Sequence, residues 1–248
     1  RLGMIAMAAA VLVMAARRTQ ALLRQSIDVA VTNTNLTRFL PQQLAPRLGE
    51  VGLDALRRGR REDVGVLFID IRGFTRLTET MAPAELASFA TEFRTRIVRV
   101  ADATDGIVDK FMGDAAMILF PAGENAPDAA RRCLRCAGLL KVAMADWSDT
   151  RENVGLPPVS AGIGAHFGEV FSGVVGDASR LEFSVFGDAV NVASRLEDLT
   201  KDHNTDTLVS RAIVERACDQ RHWRSVATLT LRGRDAMIDV MAPAGSDP

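Results

Sequence analysis

Two aspartates, 44 positions apart, each follow a stretch of strand-forming residues and lie in a glycine-containing turn. Asp70 ends the apolar run from Val64 and precedes Ile71-Arg72-Gly73-Phe74-Thr75, and Asp114 lies in Lys110-Phe111-Met112-Gly113-Asp114. Carboxylate and carbonyl oxygens are the ligands that hard divalent cations prefer. Two neighbouring cations suit in-line displacement at phosphorus. The pair favours phosphoryl-transfer chemistry if the two strands are neighbours, although each Asp alone also fits an ordinary turn.

A third segment carries an amide and a guanidinium at helical spacing. The sequence from Asp188 onward has a helical pattern, in which Asn191 and Arg195 are four residues apart and share one face. Such a pair suits the orientation of a ribose and the stabilisation of charge on a phosphate. An isolated surface Arg is more often simply solvated.

The elements that must position these residues follow from hydrophobic periodicity. A continuous apolar run ending at Asp70 predicts a strand covered on both faces. It is followed by a predicted helix from Pro83, a hairpin over 107–120, a helix from Pro127 to Trp147, and a strand pair over Val159–His166 and Val170–Val175. This order predicts an α+β fold, a ferredoxin-like βαββαβ palm with its helices on one face and a C-terminal extension, preceded by an N-terminal helix.

Together the three segments resemble the signature segments of class III adenylate and guanylate cyclases, over the range from Asp63 to Met241. The resemblance implies two divalent cations per site, Mg²⁺ or Mn²⁺, held by Asp70, Asp114 and the backbone of Ile71. It implies that Phe74 and Thr75 lie in the turn that meets the triphosphate. Asn191 would orient the ribose, and Arg195 would stabilise the transition state.

Base selection in this family is implied to rest on the positions of Lys110 and Ser184. A lysine donor suits adenine N1. Ser184 departs from the Asp of mammalian-type adenylate cyclases and resembles the Thr or Ser of a bacterial subgroup. The expected substrate is therefore ATP, which would be closed into 3′,5′-cyclic AMP. Arg232 is expected to reach the terminal phosphates, with nearby Arg234 as the alternative. An ordinary charged turn residue is the other interpretation of each arginine.

The family also implies a head-to-tail homodimer, in which the aspartates of one subunit meet the Lys, Asn and Arg of the other. Two other functions stay open: guanylate cyclase activity and a catalytically silent nucleotide-binding regulatory module. A diguanylate cyclase is disfavoured, because its hairpin would read Gly-Gly-Asp/Glu-Glu-Phe where this chain reads Met112-Gly113-Asp114-Ala115. His166 has no neighbouring ligand at metal-binding spacing, and we interpret it as a packed residue.

The composition bears on the class of partner and on the redox compartment of the protein. The 30 basic and 31 acidic residues leave a net charge of -1, which does not suggest a nucleic-acid binder. Cys133 and Cys136 lie in a helical pattern, and we interpret them as buried helix cysteines in a reducing cytosol rather than as a redox or metal site.

The N-terminal part suggests a membrane anchor. Residues 1–16 are apolar between basic residues and predict the end of a transmembrane helix in the inner membrane, with a cytoplasmic catalytic domain. A signal peptide and a soluble Ala-rich helix are the alternatives. We assign residues 17–62 to a helical connector and linker, which either pairs in a dimer or packs on its own domain, residues 63–241 to the catalytic domain and 242–248 to a tail.

Overall fold

The computed structural model describes residues 58–176, 181–230 and 237–245. The predicted membrane segment and connector helix lie outside the described residues, as do Arg232 and Arg234. Among the helices that are described, none has the length and apolar character needed to cross a membrane.

The described part of the chain contains strands and helices in a mixed order. The strands are β1 (Arg60–Ile71), β2 (Ile107–Met112), β3 (Ala115–Pro121), β4 (Ala161–Gly176), β5 (Leu181–Phe186), β6 (Thr207–Ser210), β7 (Trp223–Thr230) and β8 (Met237–Pro243). The helices are α1 (Phe74–Thr78), α2 (Pro83–Asp102), α3 (Ala126–Asn153), α4 (Asp188–Leu199) and α5 (Arg211–Ala217). Local signals start the long helices: Pro83 opens α2, and the Asn125 side chain accepts a hydrogen bond from the Asp128 N–H at 3.1 Å in α3.

The strands form one sheet in the order β2-β3-β1-β4-β6-β8-β7, and β5 pairs with the C-terminal half of β4. β1 is antiparallel to both β3 and β4, so it lies inside the sheet. The predicted α+β palm with a β2–β3 hairpin is confirmed.

The predicted strand pair over Val159–His166 and Val170–Val175 is wrong, because both stretches belong to the single strand β4. The Gly168-Glu169 step suggests a turn in the sequence, yet these residues continue the ladder opposite Val64 and Asp63 of β1. Pairing with β1 holds β4 straight through the step. The antiparallel partner of the second half of β4 is β5, a strand that was not predicted from the sequence.

Helices cover both faces of β1, whereas the sequence predicted helices on one face. The side chains of Leu67 and Ile69 pack against α2 and α3, in a core that contains Phe93 and Trp147. Alternate residues of β1 point to the opposite face, and there the side chains of Val64, Val66 and Phe68 pack against Ala189 and Ala193 of α4. The near-continuous apolar pattern of β1 therefore reflects burial on both sides.

Helix α4 approaches β4 closely enough that one strand position must be glycine. A Cβ placed on Gly164 would lie 2.2 Å from the Glu197 nitrogen and 2.3 Å from the Ala193 oxygen. Both atoms belong to the helix backbone and cannot move without moving the helix. Gly164 therefore sets the distance between α4 and the sheet.

The substitution Gly164→Ala is expected to lower the free energy of unfolding by about 3 kcal/mol, at the upper end of the range for over-packed cores, because the clash is with backbone. Urea denaturation measures the loss. Gly138→Ala is the matched control: Gly138 lies in α3, and a Cβ there meets nothing within 4 Å. The control is expected to be neutral or stabilising by up to about 1 kcal/mol. Equal effects of the two changes would contradict the packing argument.

Candidate active site

The end of β1 and the β2–β3 turn bring Asp70 and Asp114 together. Asp70 pairs with Ala115 in the ladder, and the Ile71 N–H donates a hydrogen bond to the Asp114 carbonyl at 3.3 Å. Gly73 and Gly113 take positive φ angles of 64° and 68°, which the tight turns beside the two aspartates require. The neighbouring strands on which the phosphoryl-transfer prediction depended are therefore present.

The surroundings of Asp70 disfavour the negative charge of its carboxylate. Burial, followed by the nearby Asp114 carboxylate, raises the pKa of the Asp70 carboxyl to about 6, against the opposing effects of Lys201 and the Ile71 N–H. The Asp70 Oδ1 atom is buried and has no hydrogen-bond partner among the described residues. The carboxyl oxygens of Asp70 and Asp114 lie close together, and the Asp70 Oδ1 has no partner among the described residues. These features fit a hard divalent cation, which would balance the negative charge of the two carboxylates.

Two charged residues near this site were not predicted from sequence. Glu197 of α4 is buried, and burial followed by the charge of Asp70 raises the pKa of its carboxyl to about 7. Arg72 donates to the carbonyls of Thr200 and Thr205 and so ties the end of β1 to the segment after α4. The sequence signal that could have identified Glu197 is its position in the predicted helix. It follows Arg195 by two residues and therefore lies on the opposite face of the helix.

The remaining predicted residues near the end of β1 have defined positions. The Lys110 Nζ lies 3.4 Å from the Asp109 Oδ2, and 32% of the Lys110 side chain is exposed. The Phe74 ring packs towards the core, with its centroid 6.1 Å from that of Phe89. Thr75 is exposed in α1 directly after the turn. Of these two side chains, that of Thr75 is the exposed one, while the Phe74 ring anchors the turn on the core.

Ser184 lies on β5, far from the two aspartates as measured along the neighbouring strand β4. It is buried on β5 opposite Gly173, whereas Asp70 lies opposite Gly162, eleven β4 residues away. In α4, Asn191 is exposed and Arg195 half-buried, while Ala193 and Leu196 face the sheet. The structure thus brings Asp70 and Asp114 together. Ser184 on β5 and Asn191 and Arg195 on the outer face of α4 form a second group only through their expected role on the nucleotide.

Two further sequence interpretations are tested. His166 is buried, and its Nδ1 lies 2.7 Å from the Ser210 Oγ, as expected of a packed histidine. Cys133 and Cys136 are buried in α3, and burial raises the pKa of both thiols, that of Cys136 to about 11. They are buried helix cysteines as predicted, with thiols that stay protonated.

A palm-like sheet that brings two carboxylates to the end of an inner strand fits the class of domains that transfer phosphoryl groups with bound metal ions. The chain belongs to the family of the adenylate and guanylate cyclase catalytic domain, whose sequence model matches residues 56–241.

Relatives and solved structures agree with this family. The chain is 33% identical over 218 residues to an adenylate cyclase of Anabaena cylindrica, covering 84% of the chain and 42% of that protein. It is 30% identical to adenylate cyclase 1 of Rhizobium meliloti, covering 84% of the chain and 31% of that protein. The chain therefore spans less than half the length of these curated relatives.

Among solved structures, the guanylyl cyclase Cya2 is 27% identical with a TM-score of 0.66, covering 76% of this chain and 95% of that one. The adenylyl cyclase CyaB of P. aeruginosa is 23% identical with a TM-score of 0.69, covering 76% and 97%, and supports the fold.

The raised pKa of Asp70 predicts a pH-dependent stability without divalent cations. A carboxyl whose pKa is about 6 when folded and near 3.8 when unfolded holds its proton more tightly in the folded chain. Its contribution to the free energy of unfolding therefore falls as pH rises from about 4 to about 6. In EDTA, Asp70→Asn should gain about 1 to 2 kcal/mol over wild type across this window, a figure reduced for solvent screening. A pH-independent difference in urea denaturation would contradict the assignment.

Proposed function

We propose that the chain is an adenylate cyclase that converts ATP into 3′,5′-cyclic AMP and pyrophosphate in sites shared across a homodimer. The observation that carries the proposal is the convergence of the Asp70 and Asp114 carboxyl groups, one with a buried oxygen that lacks a partner among the described residues. Such a pair is poorly suited to stability and well suited to binding cations that carry a triphosphate.

Asp70, Asp114 and the backbone of Ile71 would hold the divalent cations, Mg²⁺ or Mn²⁺. When bound, a metal pair activates the attacking oxygen and stabilises the leaving one. The protein holds the two aspartates at fixed positions through the β1–β3 ladder and the hydrogen bond from the Ile71 N–H to the Asp114 carbonyl.

The second group of residues acts on the nucleotide. In the proposed reaction the ribose 3′-hydroxyl loses its proton to water, its oxygen forms a bond to the α-phosphorus, and the bond from that phosphorus to pyrophosphate breaks. Asn191 orients the ribose, and Arg195 stabilises the negative charge of the pentacoordinate phosphate. Both side chains lie on a face of α4 turned away from the buried face of the helix, so they are placed to meet a nucleotide outside their own sheet.

Base selection is proposed to rest on Lys110 and Ser184. The Lys110 ammonium can donate to adenine N1, and the Ser184 hydroxyl can accept from the adenine amino group. Guanylate cyclase activity is the second candidate, because the structural relative Cya2 is a guanylyl cyclase. Initial rates with ATP and with GTP at equal concentrations decide between them, and a preference for GTP would overturn the assignment of ATP.

The shared site is supported by the separation of the two groups. Asp70 and Ser184 lie opposite β4 residues eleven positions apart, so a second subunit provides a direct way to bring the groups together. The β4–β5 hairpin also exposes large apolar side chains, with Phe171 37%, Val175 38% and Phe186 51% exposed. An apolar surface of this kind suits a protein partner.

Membrane attachment through residues 1–16 stays a prediction, supported by their apolar composition between basic residues. Fractionation of cells that express the chain measures it. Recovery of the chain entirely in the supernatant after high-speed centrifugation would contradict it.

Purified protein with ATP and either Mg²⁺ or Mn²⁺ is expected to produce cyclic AMP. Asp70→Ala and Asp114→Ala are each expected to abolish turnover, because each removes a metal ligand. Asp149→Ala, an exposed acid on α3, is the control and should retain activity. Absence of product from the wild type with both metals would refute the enzyme and favour a silent nucleotide-binding module.

Arg195→Ala is expected to lower kcat on the order of 10²-fold, because its charge acts mainly in the transition state. Its affinity for ATP, measured by equilibrium binding, should change little. A proportional loss of ATP binding with little change in kcat would instead assign Arg195 to ground-state binding.

Mixed dimers test the shared site. Neither Asp70→Ala nor Arg195→Ala homodimers should turn over at the wild-type rate, whereas a heterodimer contains one site with both residues intact. Co-expression with two affinity tags and sequential purification isolates the heterodimer, which is expected to recover up to about half of the wild-type rate, one of two sites. An isolated heterodimer with no more activity than its parents would contradict the shared arrangement.

A further inference from the structure

One buried carboxylate near the proposed metal site has no role in the reaction described above. Glu197 is only 5% exposed, and its Oε1 atom has no hydrogen-bond partner among the described residues. An unpartnered charge in the protein interior is costly, and an apolar side chain would fill the same space without that cost. A structural role alone therefore does not account for an acid at this position.

The sheet register places Glu197 behind Asp70. Asp70 continues the β1 face formed by Val66 and Phe68, which is the face that α4 covers. Asp70 lies opposite Gly162 on β4, and a Cβ placed on Gly162 would be 2.4 Å from the Glu197 Oε1. Directly opposite residues of an antiparallel pair have Cβ atoms about 4.5–5.5 Å apart, so Oε1 lies no more than about 8 Å from the Asp70 Cβ.

The groups around Glu197 leave its charge only partly balanced. Lys201 and Arg72 favour the charged form of Glu197, whereas Asp70 and Asp198 disfavour it. Arg72 uses its Nη2 on the backbone carbonyls of Thr200 and Thr205, and Lys201 lies 3.9 Å from the Asp198 carboxylate. No hydrogen bond from either cation to the Glu197 Oε1 is present in the described structure.

We propose that Glu197 is a positioning residue of the metal site, which accepts a hydrogen bond from a water ligand of the cation bound by Asp70 and whose negative charge increases the affinity for that cation. The inference rests on the metal site of the proposed function. In the described part of the chain, no three acidic, His or Cys side chains are arranged to hold one ion. In this proposal Glu197 is not itself a metal ligand. It lies next to the ligand Asp70, as do acids that orient bound water and ligand carboxylates in other metal sites.

The position of Glu197 also assigns it to one of the two proposed sites. Arg195 and Glu197 are two residues apart on α4, so their side chains point about 200° apart around the helix. Glu197 faces the Asp70 of its own chain, while Arg195 faces outward, towards a nucleotide whose cations a second subunit holds. One helix would thus contribute to the metal end of one site and to the phosphate end of the other.

The test measures metal binding by the full chain without nucleotide. Titration with Mn²⁺ alone, followed by the electron paramagnetic resonance signal of free Mn²⁺, yields the affinity, and the binding lost in Asp70→Ala defines the site. Glu197→Gln is expected to weaken this binding about tenfold or more. Asp198→Asn is the matched control, because it makes the same change on the next residue of α4, where the side chain is 70% exposed. The control should stay within about twofold of wild type.

A second readout separates this role from a structural one. In EDTA, Glu197→Gln is expected to unfold at the same temperature as wild type or higher, because the change removes an unpartnered buried charge. A lower unfolding temperature would show a structural role and overturn the inference. Equal Mn²⁺ affinities of wild type and Glu197→Gln would overturn it as well.

The variant Glu197→Asp keeps the charge and withdraws it by one methylene. It should bind Mn²⁺ more tightly than Glu197→Gln, and an affinity no higher than that of the Gln variant would rule out the role of charge. If wild type and Asp70→Ala bind Mn²⁺ equally, the metal site of the proposed function fails. That outcome is distinct from a failure of the Glu197 inference, in which Asp70→Ala loses binding and Glu197→Gln does not.

Discussion

Like charges crowded at the end of β1 are the constraint around which the structure is arranged. Asp70 and Asp114 lie side by side, and Glu197 approaches from α4. Burial is the main cause that raises the pKa of the Asp70 carboxyl to about 6 and that of the Glu197 carboxyl to about 7, and a neighbouring acid adds to each shift, Asp114 for Asp70 and Asp70 for Glu197. Packing of the core on both faces of β1 holds the strand ends in place and offsets the unfavourable free energy of these buried acids.

The second consequence of this arrangement is the close packing of α4. A helix can carry a carboxylate to the back of the site only if its backbone comes near β4, and Gly162 and Gly164 leave the required space. The same approach sets the direction of the outer face of α4, with Asn191 and Arg195. The proposed metal site and the proposed phosphate-binding face are therefore connected by one helix, α4, although they would serve different sites of a dimer.

Much of the fold follows from local patterns. The hairpin from Ile107 to Pro121 is visible in the sequence, because Gly113 permits the turn and the flanking runs are rich in strand formers. Helices α2 and α3 follow from their apolar spacing and from a proline near each start. The continuity of β4 was not predictable, because a Gly-Glu step normally suggests a turn and only the pairing with β1 keeps it extended.

The sequence by itself determined which side chains are available: two turn-borne aspartates, a lysine and a serine proposed to select the base, and an Asn-Arg pair on one helix, with the family that they indicate. These are local properties, since residue type and helical or strand period are set by the backbone over a few positions. Only the tertiary structure decided that α4 covers the face of Asp70 and that Glu197 is buried behind it. That outcome depends on which strands become neighbours and on how closely a helix can pack, and the atoms concerned are as much as 127 residues apart, from Asp70 to Glu197.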